Sequence, residues 1–288
     1  MVKFTEVHKQ LGNFRLNDLN FELPKGYVMG LIGENGAGKT SMLNLILGLY
    51  QPDCGRIQMF GSCYQDDERG IRNKIGYVLA DEDLFSSNTK LVDLANMYGR
   101  YYVNYNEKIF TDYCADFCLD LQKRWKQLSK GEKLKFQFAF ALSHAPKLLV
   151  LDEPTANFDP EFRELFFHNI TDFISNGEHS VILATHQLQD LDRIADYITL
   201  LHKGSLVFSC EKELLIDRFR LVKGEDYKVS LLKTERVIYK EKGEYMTSAL
   251  VRHRRIDTYD SRLSVNIPSL EEIMYYFMKS GRLDVKKQ

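Results

Sequence analysis

Cysteine is scarce and oddly distributed. The five cysteines (Cys54, Cys63, Cys114, Cys118 and Cys210) are scattered. Cys114 and Cys118 stand four apart, with no second pair at zinc spacing, so a disulfide framework and a zinc ribbon are excluded. No uninterrupted apolar run approaches the ~18–20 residues that a bilayer span requires. The opening segment Met1-Val2-Lys3-Phe4-Thr5-Glu6 lacks the apolar region of a secretory signal. The expected location is therefore cytoplasmic, with a partner holding the protein at any membrane it serves. Charge of one sign is missing too. The 39 basic and 40 acidic residues leave a formal net charge of −1, so the overall balance points to no nucleic-acid partner. One local basic cluster, Arg252-His253-Arg254-Arg255, reads as a solvated charged face. Internal repeats and low-complexity linkers are absent. What is present is ordinary globular material, 44% hydrophobic and 27% charged over 288 residues. That length suits a large domain with a smaller one.

Against this background one stretch stands out. Gly33-Glu34-Asn35-Gly36-Ala37-Gly38-Lys39-Thr40 follows the apolar run Val28–Ile32 and precedes Ser41-Met42-Leu43-Asn44-Leu45-Ile46. Strand, glycine-rich loop and helix form the context in which G-x-x-x-x-G-K-[ST] binds phosphate. A helix N-terminus offers unpaired N–H groups and a partial positive charge. Gly36 and Gly38 let the backbone bring those groups close to an anion. Lys39 adds a point charge for β- and γ-phosphates, and the Thr40 hydroxyl suits Mg²⁺. The competing reading is a plain glycine turn.

Two further constellations follow. Leu148-Leu149-Val150-Leu151-Asp152-Glu153 reads as a buried parallel strand tipped with acid. Asp152 suits a metal-holding role and Glu153 the orientation or deprotonation of water. Leu128-Ser129-Lys130-Gly131-Glu132 opens a long helix, and Ser129 with Glu132 has the form of a capping box. Taken alone, capping explains it fully.

Elsewhere the pattern reads as strands at 2–7, 19–23, 56–60 and 75–79, then helices from about Asn88 to Ser143. The aromatic positions Tyr98, Tyr101, Tyr102 and Tyr105 suit a core stripe, part of which serves as a docking surface. Val181–His186 reads as a second buried strand with a polar tip, and 197–201 with 206–208 as a hairpin about Lys203-Gly204. Beyond about residue 220, Tyr227–Leu232 and Arg236–Tyr239 read as strands. Pro268 to Met278 reads as a helix with proline near its start.

The ordered motifs resemble those of the ATP-binding-cassette (ABC) ATPases, the nucleotide-binding subunits of ABC transporters. Gly33–Thr40 matches Walker A and Leu148–Glu153 matches Walker B. Leu128–Glu132 resembles the signature, Asn157-Phe158-Asp159 occupies the D-loop position, and Ala184-Thr185-His186 matches the switch histidine. The resemblance implies an α/β P-loop NTPase core over residues 1–219, with an antiparallel β-subdomain and a helical subdomain at about 84–145. A small α/β C-terminal domain at 220–288 would support pairing of two protomers. ATP and Mg²⁺ are the implied cofactors. ATP contacts are implied for Gly33–Thr40, Ser41 and Phe14, metal contacts for Thr40 and Asp152, and catalytic roles for Glu153, His186 and Lys39. Ser129, Lys130, Gly131 and Glu132 would face the ATP of a second protomer, identical or not, beside the D-loop residues Asn157 and Asp159. An integral membrane permease subunit is the further implied partner, holding the protein on the inner face of the membrane.

Three positions depart from the family pattern. Ala80 stands where a glutamine is usual, with Asp81 and Glu82 as candidate substitutes because carboxylates are good ligands for hard cations. Lys130 replaces the first glycine of the signature. The adenine-stacking aromatic falls near Leu11, leaving Phe14 or an aliphatic contact. These departures resemble the small bacterial exporter ATPases of the YtrB and bacitracin-resistance type, some of which move antimicrobial or amphipathic peptides. The rival readings are a soluble ABC ATPase outside transport, a weakly catalytic nucleotide-binding module, and a P-loop kinase.

Overall fold

The computed structural model describes residues 1–79, 85, 88–254 and 256–280. Two polar-faced strands open the fold. Strands β1 (Val2–Leu11) and β2 (Phe14–Leu23) pair antiparallel, with Leu11 opposite Phe14 across the turn Gly12-Asn13. Both extend beyond the apolar alternation visible in the sequence, because polar side chains on the outer face break the pattern but not the ladder. β3 (Val28–Ile32) is buried along its whole length and leads through the glycine loop into α1 (Lys39–Ile46). β4 (Cys54–Met59) pairs antiparallel with the free side of β1. α2 (Tyr64–Asn73) follows, a helix absent from the sequence reading because Ile71 is its one buried residue. The Tyr64 hydroxyl anchors it by donating to the Ile46 carbonyl at 2.7 Å.

β5 (Ile75–Leu79) then enters the sheet. Helices α3 (Leu91–Gly99), α4 (Glu107–Asp116) and α5 (Lys130–Ser143) make the helical region. They are followed by β6 (Leu148–Asp152), α6 (Pro160–Ile174), β7 (Ser180–Ala184), α7 (Leu188–Ile194), β8 (Tyr197–His202) and β9 (Ser205–Glu211). The nine strands form one sheet in the order β4-β1-β2-β9-β8-β3-β7-β6-β5. The pairs β3–β7, β7–β6 and β6–β5 are parallel. Their near-continuous apolar sequences are those of strands covered on both faces.

The aromatic stripe of the helical region is mostly core. Trp125 and Phe136 pack edge to face, as do Phe110 and Phe136, and Phe117 stacks on Phe138. Tyr102 stacks on His144 with ring centroids 4.0 Å apart, whereas Tyr101 is 74% exposed.

The chain divides into two compact units, Met1–His186 with Thr199–Leu206, and Gln187–Ile198 with Val207–Gln288. In the second unit α8 (Lys212–Asp217), β10 (Phe219–Gly224), α9 (Asp226–Ser230), β11 (Val237–Lys242), β12 (Thr247–Arg252), β13 (Ser264–Asn266) and α10 (Leu270–Ser280) surround an antiparallel sheet ordered β11-β12-β10-β13. The strand expected at Tyr227–Leu232 is largely the helix α9. Its alternation is misleading because Val229 alone buries fully there, while Asp226 fastens the turn by accepting from Thr247 Oγ1 and pairing with Lys240 and Lys242. Among the described residues no helix is long and apolar enough to cross a membrane.

Burial has an electrostatic consequence at His144. Desolvation pushes its pKa down to about 4 from the usual 6.5, so the fold holds it neutral. The unfolded chain takes up this proton first as pH falls. Stability is therefore full above about pH 6.5 and is lost between 6.5 and 4, by roughly 2 kcal/mol at pH 5. Urea unfolding of the wild type and His144→Phe at pH 7.5 and pH 5 should show a smaller pH-dependent loss in the variant. An equal loss in both would show that His144 is not the titrating group.

Candidate functional site

The glycine loop places its charged groups by backbone constraint. Gly36 and Gly38 have φ of +78° and +104°. A side chain at Gly38 would also come within 2.8 Å of the Phe14 ring and 2.7 Å of Leu16. Glycine is thus required there both for the dihedral and for the close approach of the β1–β2 hairpin. The Ala37 N–H closes the loop onto the Glu34 carbonyl at 3.0 Å. Lys39 Nζ folds back into the loop, donating to the carbonyls of Gly33 at 2.7 Å and Glu34 at 3.4 Å. These carbonyls hold the ammonium in a largely buried position. The Glu34 carboxylate lies 3.8 Å from His202 Nδ1.

The tips of β6 and β7 supply the facing groups. Thr40 Oγ1 donates to Asp152 Oδ2 at 2.9 Å, tying the start of α1 to the end of β6. Glu153 takes φ +48°, and its N–H donates to the Ala184 carbonyl at 2.8 Å. A non-glycine residue in this region stores strain and needs its neighbours to hold it. Several groups do so through its carboxylate. Glu153 Oε2 accepts from Thr185 Oγ1 at 3.2 Å and from the His186 N–H at 3.4 Å, and lies 2.8 Å from His186 Nδ1.

These elements enclose a cleft of about 480 Å³. Its walls are the loop residues Glu34, Asn35, Gly36, Gly38, Lys39, Thr40 and Ser41, the strand-tip acids Asp152 and Glu153, and Phe14 from the hairpin. Gly33 and Ala37 complete the loop behind these walls. The site offers a helix N-terminus, an ammonium, two carboxylates and one aromatic ring. That set can bind a polyphosphate at the loop and present a carboxylate to a water beside it. Thr40 and Asp152 provide adjacent hard oxygen donors, a set that fits Mg²⁺.

The signature residues lie elsewhere in the same unit. Ser129 caps α5, its hydroxyl accepting from the Glu132 N–H at 3.2 Å while the Glu132 carboxylate accepts from the Ser129 N–H at 2.8 Å. Lys123 pairs with Glu132 at 2.8 Å and holds its carboxyl below the usual range. A side chain at Gly131 would meet the Asn157 carbonyl at 2.7 Å, so the D-loop position packs on the first turn of α5. Asp159 caps α6 by accepting from the Phe162 N–H at 2.8 Å, which lowers its pKa, and it sits 3.4 Å from Lys135. Lys130 is exposed. Ser129, Lys130, Gly131 and Glu132 are not among the residues lining the cleft. Ala80, Asp81 and Glu82, on which the question of a substitute metal ligand turns, lie outside the described residues.

Sequence reasoning missed Gln137. Its amide is 5% exposed, accepts from the Leu79 N–H at 2.9 Å and donates to the Leu79 carbonyl at 3.3 Å. The signal was present as a lone amide inside Phe136-Gln137-Phe138-Ala139-Phe140. It fastens the signature helix α5 to the tip of β5. Thr185 was also quoted without a role, and its hydroxyl proves to hold Glu153.

The arrangement can be set beside known proteins. A family model described as "ABC transporter" matches residues 16–156, and one described as "AAA domain, putative AbiEii toxin, Type IV TA system" matches 124–191. The bacitracin transport ATP-binding protein BcrA of Enterococcus faecalis is 30% identical over 98% of this chain and 90% of its own length. The chain belongs to the ATP-binding subunits of ABC transporters. The Nod factor export ATP-binding protein I of Rhizobium leguminosarum bv. viciae is 32% identical over 72% of the chain and 67% of its own length. Among solved structures, the ATP-binding subunit of an ABC transporter aligns with a TM-score of 0.70 at 23% identity, over 76% of this chain and 92% of that one. The dimeric post-hydrolysis state of the ATP-binding cassette MJ0796 aligns with a TM-score of 0.65 at 23% identity, over 73% and 98%. This ABC ATPase therefore has the expected α/β P-loop fold, binds ATP, and is an ATPase by family.

Gln137 gives a direct test of how the ABC core is fastened. Gln137→Met keeps volume but leaves the buried Leu79 N–H and carbonyl without this amide. The expected loss is about 1–3 kcal/mol of stability, read as a lower urea midpoint with unchanged slope. An unaltered midpoint would show that the clamp is not a stabilising contact.

Proposed function

We propose that the protein is the ATP-hydrolysing subunit of an exporter, in which ATP closes two cassettes and hydrolysis lets them reopen. The observation that carries this reading is the convergence of Glu153, Asp152 and Thr40 on one cleft beside the phosphate loop, with His186 held against the Glu153 carboxylate. The loop N–H groups and Lys39 bind the β- and γ-phosphates, and Ser41 adds a hydroxyl at the helix start. Phe14, with Leu11 opposite it in the hairpin, supplies the apolar contact for adenine. Thr40 and Asp152 would hold Mg²⁺, which when bound would add positive charge at the phosphate oxygens.

Glu153 is the general base. It orients a water for attack on the γ-phosphorus and takes its proton as the bond to the ADP oxygen breaks. His186 and Thr185 fix the carboxylate, and His186 reaches the γ-phosphate. Ser129, Lys130 and Gly131, with Glu132 bracing the turn, complete the site of a second protomer, identical or not, and Asn157 and Asp159 adjoin that interface. A signature that lies off its own chain's cleft supports this pairing. A general base contributes about 10²–10⁴-fold. Glu153→Gln should therefore lower steady-state Mg-ATP turnover at least a hundredfold while ATP still binds and dimer persists in gel filtration. Turnover within a few-fold of wild type would overturn the mechanism.

A permease subunit docks in the groove beside the helical region. This groove of about 850 Å³ is walled by Leu49, Arg72, Tyr77, Arg100, Tyr101 and Tyr102, among others. Exposed Tyr101 and the flanking arginines suit a partly apolar helix end with acidic character. The likeness to the Nod factor export proteins supports export, and amphipathic peptides are the cargo class proposed here. Tyr101→Glu should lower the fraction of protein retained on washed native membranes, with basal ATPase activity unchanged. Equal retention would place the docking surface elsewhere.

A further inference from the structure

The second compact unit contains a cavity of about 550 Å³ that no part of the ATPase reading uses. Its floor is apolar. Phe277 of α10 packs edge to face on Phe219 at 5.3 Å and near Phe208 at 6.0 Å, and Leu215 lies beside them. Its rim is cationic. Arg218, Arg236, Arg252 and Arg254 line it, with Glu235 as the one carboxylate among the lining residues. The sheet brings these side chains together. Phe219 pairs with Arg252 across β10 and β12, the His253 N–H donates to the Arg218 carbonyl at 2.7 Å, and the Arg252 N–H donates to the Arg236 carbonyl at 2.8 Å.

Of the four rim arginines, one is neutralised by an ion pair. Arg236 pairs with Asp257, which also accepts from the Arg254 N–H. Among the described residues no carboxylate lies within ion-pair distance of the Arg218, Arg252 or Arg254 guanidinium groups. Arg252 and His253 are half-buried while Arg254 is exposed, so part of the run expected to be a solvated face is withdrawn from solvent. Like charges held together at one rim destabilise a fold. An anion bound between them removes that cost, and guanidinium groups bind carboxylate and phosphate through paired hydrogen bonds. The volume lies in the range of small-molecule sites and far exceeds what bare phosphate needs.

We propose that this cavity is a ligand site for an amphipathic anion, one phosphate or carboxylate head on an apolar body. The head sits among Arg218, Arg252 and Arg254, and the body lies on Phe208, Phe219 and Phe277. The same chemistry is offered by a membrane lipid headgroup with its chain and by a soluble alkyl or aromatic anion. The site is independent of the ATP cleft.

The test is calorimetric titration of the full chain with octyl phosphate below its micelle concentration, beside octanol and inorganic phosphate. Octyl phosphate should bind at one saturable site, at least tenfold tighter than either fragment. Arg218→Ala/Arg252→Ala, and separately the exposed Arg254→Glu, should each weaken it roughly tenfold or more. Thermal melting should confirm that both variants fold, and Lys39→Ala should leave the binding unchanged. Absence of saturable binding, or affinity unaltered in the arginine variants, would overturn the proposal. So would loss of binding with Lys39→Ala, because the phosphate loop would then be the site. Flotation with phosphatidylglycerol vesicles but not phosphatidylcholine, abolished in the double variant, would identify the lipid source. Octyl phosphate binding without flotation would identify a soluble anion. Either result upholds the site.

Discussion

The hydrogen bond from Thr40 to Asp152 joins two elements that are more than a hundred residues apart in sequence, and the rest of the site depends on that junction. It exists because β3 and β6 both run parallel to β7 and end at the same edge of the sheet. Strands buried on both faces have no room for charge along their length. Their carboxyl-terminal tips are where polar groups emerge. The phosphate loop leaves the tip of β3, Asp152 and Glu153 leave the tip of β6, and Thr185 and His186 leave the tip of β7. Three strand ends therefore deliver an ammonium, two carboxylates and an imidazole to one place, with the buried ammonium solvated by the loop carbonyls of Gly33 and Glu34.

The cleft is nonetheless a half-built device. Its walls offer groups to the phosphates from the loop side and the strand-tip side. The residues that resemble the family signature are occupied locally, in capping α5 and in the ion pair of Glu132 with Lys123. Their local bonds fix the direction in which the first turn of α5 presents its N–H groups. Asn157 packs against that turn at Gly131, so the D-loop position and the signature form one surface. Capping is compatible with the proposed recognition: the cap orients the turn that, in the proposed dimer, would face the anion of another subunit.

Much of this was legible in the sequence, for identifiable reasons. Residues 148–152 and 181–184 are continuous apolar runs with polar tips, and such runs have one comfortable place in an α/β fold. The phosphate loop is written in backbone requirements that glycine alone meets. Legibility failed where the stabilising contact was a single residue. α2 buries only Ile71 among ten residues, so no periodic stripe announced it. α9 imitates a strand over five residues because alternation and a short helix differ by little over so short a span. Gln137 resembled a defect in a hydrophobic helix until its backbone partner at Leu79 was placed. The basic run at 252–254 looked like surface because its meaning depends on Arg218 and Arg236, which only the pairing of β10, β11 and β12 brings near.

The bond pair between Gln137 and Leu79 has a mechanical meaning beyond stability. An amide that accepts from an N–H and donates to the carbonyl of the same residue resists both sliding and rotation. The signature turn stands at the front of α5, and Gln137 lies two helical turns behind it. The β5 tip that it grips leads into residues 80–84. A displacement of α5 along β5 therefore has to break both of these bonds together. The signature turn and the β5 tip are thus tied through this side chain as well as through the packing of α5 along β5.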